Sequence, residues 1–251
     1  MQHIDHEQER FYTAIAGHYS AIFPFNPQQV AFTVSQAGSV AGRRLLDIGC
    51  ATGELAFGLA EQGATVTAID LNGALLARAQ QQRSHPRVEY LQANMPHISR
   101  LFGRAAFDGV TCYGNTLVHL PDPMHIGSFF NEVFAVLKPG GALLLQILNY
   151  DYILNEKLEE LPSIDNDEIT FTRRYRFSAG SPEIRFVTRL LVKATGETLE
   201  NETSLFGLGS AALTSLLHDA GFEKITLFAG FNAAPFGGKH LPLVAACRRP
   251  E

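Results

Sequence analysis

Two acidic residues, Asp47 and Asp70, stand at a spacing that suits a ligand with a cationic end and a ribose. Asp47 lies at the end of an apolar run and precedes Gly49 and Gly53, so a strand, a tight glycine turn and a helix N-terminus follow one another. A carboxylate placed before the glycines repels phosphate but suits an ammonium group. Asp70 ends the next apolar run, about where an acid meets ribose hydroxyls in a nucleotide-binding βαβ unit. The alternative role for Asp70 is to cap the following helix.

A third polar candidate, Asn94, follows the third apolar run of the chain. A side-chain amide offers both a donor and an acceptor, so Asn94 can address an adenine edge. The neighbouring Met95 can pack on the face of the same ring. These residues extend the predicted site across three successive strands.

The segment Arg44 to Gly53 resembles motif I of the class I S-adenosylmethionine-dependent methyltransferases, Asp/Glu-x-Gly-x-Gly-x-Gly. The middle glycine of that motif is Ala51 here, a small departure that we expect binding to tolerate. Two later segments, Phe107 to Pro121 and Asn149 to Leu154, are similar to the glycine N-methyltransferase branch of small-molecule methyltransferases. The resemblance covers roughly residues 10 to 155 and implies S-adenosyl-L-methionine as cofactor and S-adenosyl-L-homocysteine as product.

The resemblance also implies roles for individual residues. It assigns cofactor binding to Tyr19, Asp47, Gly49, Cys50, Ala51, Gly53, Asp70, Leu71, Asn94, Met95, Tyr113, Gly114, Asn115 and Thr116. Asn115 lies where the acceptor is approached, and Tyr19 matches an arm tyrosine that closes over the cofactor. The glycine-binding enzymes carry an arginine where Leu148 stands, and leucine cannot replace a bidentate arginine. We therefore expect an acceptor other than glycine.

Methyl transfer needs the nucleophile, the methyl carbon and the sulfur in line, with no covalent enzyme nucleophile. The best catalytic candidates are His119 and Tyr19, although His119 fits a structural role equally well. Tyr150 either faces the substrate or packs in the core. Arg173, the one charge on the face of a predicted strand, either anchors an acidic substrate group or extends to solvent.

Three functions fit these residues. The first is N-methylation of a small molecule. The second uses the same cofactor site with an oxygen or carbon acceptor. The third is a non-catalytic regulatory protein that binds S-adenosylmethionine or S-adenosylhomocysteine.

The composition excludes several other classes of partner. The chain has 251 residues, 46% of them hydrophobic, a net charge of −5 and a pI of about 6.0. The sequence has no lysine/arginine block of the kind that predicts nucleic-acid binding. It also has no stretch that approaches the ~20 apolar residues of a membrane helix. The three cysteines are far apart in the sequence and lack metal-ligand spacing, so we expect no metal site. We also expect them to be free cysteines in a reducing cytoplasm. The polar N-terminus does not resemble a signal peptide, and the sequence predicts no oligomeric state.

Alternating strand and helix patterns up to residue 149 predict an α/β fold: a doubly wound, seven-stranded, mostly parallel sheet of the Rossmann-like methyltransferase type. We expect one domain, with an N-terminal helical arm (1–40), a cofactor-binding core (41–150), a small antiparallel β insertion (165–206) and the end of the core sheet (207–251). The insertion contains three predicted strands, at 168–177, 183–194 and 197–205. The arm, the insertion and a loop at 230–238 are expected to form a mobile cover over the acceptor.

Overall fold

The computed structural model describes residues 2–178 and 180–251, with side chains from Glu7 onward. The strands are β1 (Arg44–Ile48), β2 (Thr65–Asp70), β3 (Val88–Gln92), β4 (Phe107–Cys112), β5 (Leu137–Leu148), β6 (Glu160–Asp165), β7 (Ile169–Phe177), β8 (Glu183–Val192), β9 (Thr198–Phe206), β10 (Glu223–Phe228) and β11 (Pro242–Arg248). The helices are α1 (Gln2–Ile15), α2 (Tyr19–Ile22), α3 (Pro27–Ala37), α4 (Glu54–Glu61), α5 (Gly73–Gln82), α6 (Ile98–Phe102), α7 (Pro123–Val136), α8 (Tyr150–Asn155) and α9 (Ser210–Asp219). Short 3₁₀ turns cover Ala16–His18, Met95–His97 and Thr116–His119.

Within the described residues, the central sheet has seven strands in the order β10-β11-β5-β4-β1-β2-β3. Only β11 is antiparallel to its neighbours, β10 and β5. The predicted doubly wound, mostly parallel sheet is therefore confirmed. The strand order reverses between β1 and β4, and ligands of such sheets bind beyond the carboxyl ends of the strands at that point.

Helices bury both faces of this sheet, so that β1 and β4 are almost continuously buried. On one face, α7 contributes Phe129, Phe130 and Val133 to the larger core cluster. On the other face, α4 contributes Leu55 and Leu59 to a second cluster. None of the helices in the described residues combines the length and apolar character needed to cross a bilayer.

The β insertion is a separate antiparallel sheet with the strand order β6-β7-β8-β9. Its three predicted strands are present, but the prediction missed the edge strand β6. That strand contains Pro162 and charged residues, which weaken the sequence signal yet are tolerated at a sheet edge. The insertion begins after α8 and ends before α9. Asp151 in α8 accepts hydrogen bonds from the backbone N–H of Ser210, the first residue of α9, at 3.2 and 3.1 Å.

The start of β5 contains Lys138–Gly141, a segment whose proline and two glycines are typical of a break between a helix and a strand. The strand begins at Leu137 and includes these four residues. The reason is pairing with the end of the chain: Gly140 N–H donates to the carbonyl of Arg249 at 3.0 Å, and the Arg249 side chain donates to Leu137 O at 2.6 Å.

The N-terminal arm lies across the carboxyl edge of the sheet. Asn72 holds α1 there, because its side-chain amide donates to the Glu9 carbonyl at 3.0 Å and to Thr13 Oγ1 at 2.8 Å. Phe23, just after α2, packs edge-on against Phe171 of the insertion at 6.0 Å between ring centroids. The arm therefore contacts both the core and the insertion.

Candidate functional site

A narrow cleft lies between the arm and the carboxyl ends of β1, β2 and β4. Its wall includes Tyr12, Tyr19, Gly49, Ala51, Asp70, Leu71, Asn94, Met95, Gly114, Thr116 and His119. An adjoining depression is lined by Asp47, Cys50, Glu54, Tyr113 and Phe23, among others. Most residues that the sequence assigned to cofactor binding are thus brought together at one edge of the sheet.

The glycine turn is shaped by internal packing as well as by any ligand. Gly49 and Gly53 have left-handed φ angles of 73° and 80°. A Cβ atom at Gly49 would lie 2.5 Å from Thr116 Oγ1, and one at Gly53 would lie 2.5 Å from Tyr90 Oη. Ala51, at the middle glycine of the motif, also adopts a left-handed φ of 48° and keeps its methyl group. The turn therefore accepts Ala51 but has no room for side chains at its two glycines.

Asp47 is buried beneath this turn with an unsatisfied oxygen. Its Oδ1 accepts a hydrogen bond from Thr111 Oγ1 at 2.7 Å, whereas its Oδ2 has no protein partner. Burial, opposed by the Thr111 hydrogen bond, raises the pKa of Asp47 to about 7, and nearby Asp70 and Glu54 add to the rise. A cationic group placed against Oδ2 would satisfy the buried oxygen and restore the charge.

Asp70 binds backbone amides on both sides of the cleft. Its Oδ2 accepts from Ala51 N–H at 2.8 Å and its Oδ1 from Asn72 N–H at 2.9 Å. The helix-capping role considered for Asp70 belongs instead to Asn72, whose side chain accepts from Leu75 N–H. Each Asp70 oxygen keeps a further lone pair, so the carboxylate fixes the turn and can still accept from a ligand hydroxyl.

The segment Tyr113 to Thr116 directly follows β4 at the carboxyl edge of the sheet, and Asn115 forms structural hydrogen bonds within it. Asn115 Oδ1 accepts from Leu148 N–H at 2.9 Å, and its amide donates to Tyr150 Oη at 3.0 Å. Tyr113 is buried, with its hydroxyl 3.0 Å from Thr33 Oγ1. Gly114 and Thr116 line the cleft beside them. Asn115 thus ties this segment to β5.

Tyr12 is a site residue that the sequence prediction missed. Its hydroxyl lies 3.0 Å from His119 Nε2, and both side chains line the cleft. Burial lowers the pKa of His119 to about 4, so the imidazole is neutral at pH 7. Burial raises the pKa of Tyr12 above its ordinary value. No signal in the sequence singles out Tyr12, because its contact with His119 depends on how α1 packs against the edge of the sheet.

Tyr19 lines the cleft, packed against Phe23 at 5.1 Å and near Tyr12 at 6.4 Å between ring centroids. The loop between β10 and β11 reaches the same edge, because the two strands are antiparallel. There Phe231 packs on Tyr113 at 4.8 Å between centroids. Asn166 of the insertion donates to the carbonyl of Ala21 in the arm at 2.9 Å. Arm, insertion and loop therefore all lie at the ligand edge.

The two remaining substrate candidates lie behind this cleft. Tyr150 is fully buried, with its hydroxyl bonded to Asn115, so it belongs to the core beneath the site. Arg173 is half-buried and does not extend freely to solvent. It donates to the Pro162 carbonyl at 2.7 Å, and its Nε is buried without a partner.

The electrostatics of the cleft favour a cationic ligand. The described residues that line the cleft and its adjoining depression include three acids, Asp47, Glu54 and Asp70, and no lysine or arginine. Acids gathered in a site of low polarity attract positive charge strongly. The arrangement offers a carboxylate for an ammonium group, acceptors for hydroxyls and a neutral imidazole next to a phenol.

Comparison with known proteins identifies the relatives of this chain. Residues 45–141 match the family model described as "Methyltransferase domain". A ubiquinone biosynthesis O-methyltransferase of Pseudomonas entomophila (strain L48) is 32% identical over 202 residues, which cover 72% of this chain and 83% of that protein. The corresponding enzyme of Escherichia coli O7:K1 is 32% identical over 156 residues, or 58% of this chain, and the match spans only 62% of that relative. A putative methyltransferase of Geobacillus sp. (strain WCH70) is 34% identical over 54% of each chain.

Solved structures share the fold over nearly the whole chain. The CcbJ methyltransferase from Streptomyces caelestis has a TM-score of 0.79 at 20% identity, covering 94% of this chain and 96% of its own. The sugar N-methyltransferase KedS8 from Streptoalloteichus sp. has a TM-score of 0.70 at 20% identity, covering 96% and 93%. At this level of identity the likeness concerns the fold alone.

Proposed function

Because the chain belongs to the class I S-adenosylmethionine-dependent methyltransferases, we propose that it transfers the methyl group of S-adenosyl-L-methionine to an oxygen atom of a small molecule. The observation that carries the choice of oxygen is the Tyr12–His119 pair in the wall of the cleft. The relatives named above as ubiquinone biosynthesis O-methyltransferases support the same choice.

The residues of the cleft fit the cofactor. S-adenosylmethionine supplies a methyl group activated on a positively charged sulfur. The orphaned Oδ2 of Asp47 suits the ammonium of its methionine part, since a buried carboxylate oxygen needs a donor. Asp70 is suited to the ribose hydroxyls, while Asn94 and Met95 lie on the wall where an adenine would be bound. The acidic lining disfavours nucleotide phosphates.

Tyr12 and His119 supply a route for the proton. A hydroxyl acceptor must lose its proton as it attacks, and a neutral imidazole can take one. When Tyr12 donates its hydroxyl hydrogen to His119 Nε2, the phenol oxygen keeps lone pairs that can accept the hydrogen of a substrate hydroxyl. We assign Tyr12 to holding the acceptor oxygen and His119 to receiving the proton through it. Tyr19 covers the cleft and excludes water.

Nitrogen is the second candidate acceptor. It is favoured by the resemblance of segments 107–121 and 149–154 to the glycine N-methyltransferase branch. A neutral amine attacks without prior loss of a proton, so this reaction would depend on burial of the acceptor and much less on His119.

The deciding experiment is a transfer screen with isotopically labelled S-adenosylmethionine against metabolite pools, followed by mass identification of the labelled product. Label on an oxygen supports the proposal, and label on a nitrogen overturns the choice of atom. Calorimetry with S-adenosylhomocysteine runs beside it. No binding heat and no thermal shift at millimolar ligand would remove the cofactor assignment.

A further inference from the structure

The methionine part of S-adenosylmethionine carries a carboxylate that none of the residues assigned above addresses. The acids Asp47, Glu54 and Asp70 attract its positive groups, and no lysine or arginine is among the described residues that line the cleft and the depression. A carboxylate that leaves water for such a site needs hydrogen-bond donors. A neutral donor must therefore face it.

The depression next to the cleft is the place for this end of the cofactor, with a free volume of about 350 Å³. Asp47 lines the depression but not the cleft, whereas Asp70 lines the cleft but not the depression. The cofactor sulfur is bonded to both the ribose and the methionine chain, so it belongs where the two spaces meet, beside Tyr12 and Tyr19, which line both. A donor for the carboxylate should line the depression alone.

Two polar side chains of the depression are occupied by the protein itself. Gln146 Oε1 accepts from Gly114 N–H at 2.9 Å, and its Nε2 donates to the carbonyl of Ile147 at 2.9 Å. The Tyr113 hydroxyl lies 3.0 Å from Thr33 Oγ1, whose own hydrogen is donated to a backbone carbonyl of α3. Tyr113 must therefore donate its hydrogen to Thr33, and neither side chain keeps a donor for a ligand.

Glu54 is also occupied by the protein. Ser20 Oγ donates to its Oε1 at 2.9 Å, and Thr52 Oγ1 lies 2.7 Å from its Oε2. Arg83, outside the depression, lies 3.8 Å from Oε1 and offsets part of the charge. Asp47 is thus the acid left to face the ammonium, and the carboxylate beside that ammonium must lie within reach of another group.

Gln29 has a side chain that remains available for this anion. It lies in the first turn of α3, is partly buried, and lines the depression but not the cleft. Within the described chain only its backbone forms hydrogen bonds: its N–H donates to Asn26 O at 3.0 Å, and its carbonyl accepts from Thr33 Oγ1 at 2.8 Å. The side-chain amide can donate two hydrogen bonds.

We propose that Gln29 binds the carboxylate of the cofactor's methionine part, so that this end is held between Asp47 and a neutral amide. The inference rests on the proposed function, because it concerns the cofactor of that reaction. A neutral donor holds the anion without cancelling the acidic field that attracts the ammonium and the sulfonium.

The test compares two ligands by calorimetry: S-adenosylhomocysteine and its decarboxylated analogue, which keeps the adenosine, the thioether and the amine. Gln29→Glu places a second carboxylate against the first, so we expect S-adenosylhomocysteine to bind at least about tenfold more weakly. The analogue should bind as tightly as before or more tightly, because the new acid attracts its amine.

Gln28→Glu is the matched control. It makes the same charge change one residue away, on an exposed side chain that is not part of the depression, and should alter both affinities less than about twofold. An acid in the first turn of a helix is favourable, so both variants should fold, which thermal melting checks. If Gln29→Glu does not fold, Gln29→Ala takes its place and should lower the affinity for S-adenosylhomocysteine, relative to the analogue, about tenfold.

The outcomes separate this inference from the proposed function. If Gln29→Glu weakens both ligands equally, or weakens S-adenosylhomocysteine no more than Gln28→Glu does, the carboxylate lies elsewhere and the inference fails. The proposed function stands in that case, provided that the parent protein binds S-adenosylhomocysteine. If the parent protein binds neither ligand, the proposed function fails and this inference fails with it.

Discussion

The Tyr12 hydroxyl lies 3.0 Å from His119 Nε2, so α1 of the arm contacts the segment after β4 directly across the cleft. Tyr12 lies on a helix outside the central sheet, whereas His119 follows β4 at the carboxyl edge of that sheet. The arm is consequently part of the site and completes a pair of groups that neither segment provides alone.

Removal of either member of this pair should reduce turnover. Tyr12→Phe and His119→Gln each remove the proton route, so we expect kcat for an oxygen acceptor to fall about 10²-fold or more. The affinity for S-adenosylhomocysteine, measured by calorimetry, should change less than about threefold because neither side chain is assigned to the cofactor's charged groups. The double variant should be no slower than the worse single variant, since both act on one proton.

Tyr90→Phe is the matched control for Tyr12→Phe. The Tyr90 hydroxyl donates to the Arg83 carbonyl at 3.0 Å, behind Gly53 and away from the Tyr12–His119 pair. Its loss should affect stability and leave kcat nearly unchanged. Equal losses of kcat in Tyr90→Phe and Tyr12→Phe would contradict the role of Tyr12.

The raised pKa of Asp47 makes cofactor binding depend on pH. Only the ionised carboxylate attracts an ammonium, and the pKa is about 7 in the free protein. Affinity for S-adenosylhomocysteine should therefore rise about tenfold between pH 6 and pH 8, with proton release on binding. Asp47→Asn should bind more weakly and lose this dependence. Calorimetry in buffers of different ionisation enthalpy measures both effects.

The same residue should limit the stability of the free protein. Because the folded pKa of Asp47 exceeds its ordinary value of 3.8, the folded state holds more protons than the unfolded state between pH ~4 and ~7. The contribution of Asp47 to stability is thus present at low pH and is lost as pH rises through 7. At pH 8, Asp47→Asn should melt at a higher temperature than the parent protein without ligand. A lower melting temperature would show that the buried charge is already compensated.

Asn72 allows the arm to be loosened without disturbing the helix that follows it. Asn72→Asp keeps an oxygen that caps α5 but removes the amide that holds Glu9 and Thr13. Hydrogen exchange should become faster in α1 while α5 remains protected. Asn72→Ala, the comparison variant, should make hydrogen exchange faster in both α1 and α5. Unchanged exchange in α1 for both variants would mean that packing alone holds the arm.

The arm, the insertion and the loop at 230–238 should become more protected from hydrogen exchange when ligands bind. Hydrogen exchange with S-adenosylhomocysteine and the acceptor identified by the screen should slow in residues 12–25, 168–178, 180–192 and 230–240. If the ligands leave exchange in these segments unchanged, the arm, insertion and loop are static walls and do not gate the site.

The glycine turn should be sensitive to added methyl groups for reasons of packing. Gly49→Ala combines an unfavourable left-handed φ with a clash at Thr116, and we expect a loss of at least about 2 kcal/mol of unfolding free energy. Gly42→Ala has a similar φ of 74° but nothing within 4 Å of the new atom, so it isolates the backbone cost of about 1 kcal/mol. Chemical denaturation of the two variants measures the difference, and equal losses would disprove the packing explanation.

The sequence predicted the sheet correctly because its signals are local, and the candidate cofactor residues were found from the same kind of signal. Apolar runs, glycine turns and acids at strand ends all lie within a few residues of one another, as at Asp47 and Asp70. The strand β6, in contrast, was missed because an edge strand does not need a regular apolar pattern.

The partners of the site residues were not predictable in the same way. The spacing of Tyr12 and His119 in the sequence carries no information on their contact, which depends on how the arm packs. The sequence shows that Asn115 belongs to a motif, but it does not show that its side chain accepts a hydrogen bond from the backbone of Leu148. The sequence predicts a tight turn at Gly53 but does not show that Tyr90 occupies the space a side chain there would take.

The hydrogen bonds between Asp151 and Ser210 have a consequence for how acceptor preference can change during evolution. They join the points where the chain leaves and re-enters the core, so the four-stranded insertion begins and ends at neighbouring positions of the core. The matched family region, residues 45–141, ends before it begins. Exchange of residues 156–208 between homologues should therefore alter which acceptor is methylated while conserving the cofactor. The sequences of the insertion and of the core can then diverge at different rates.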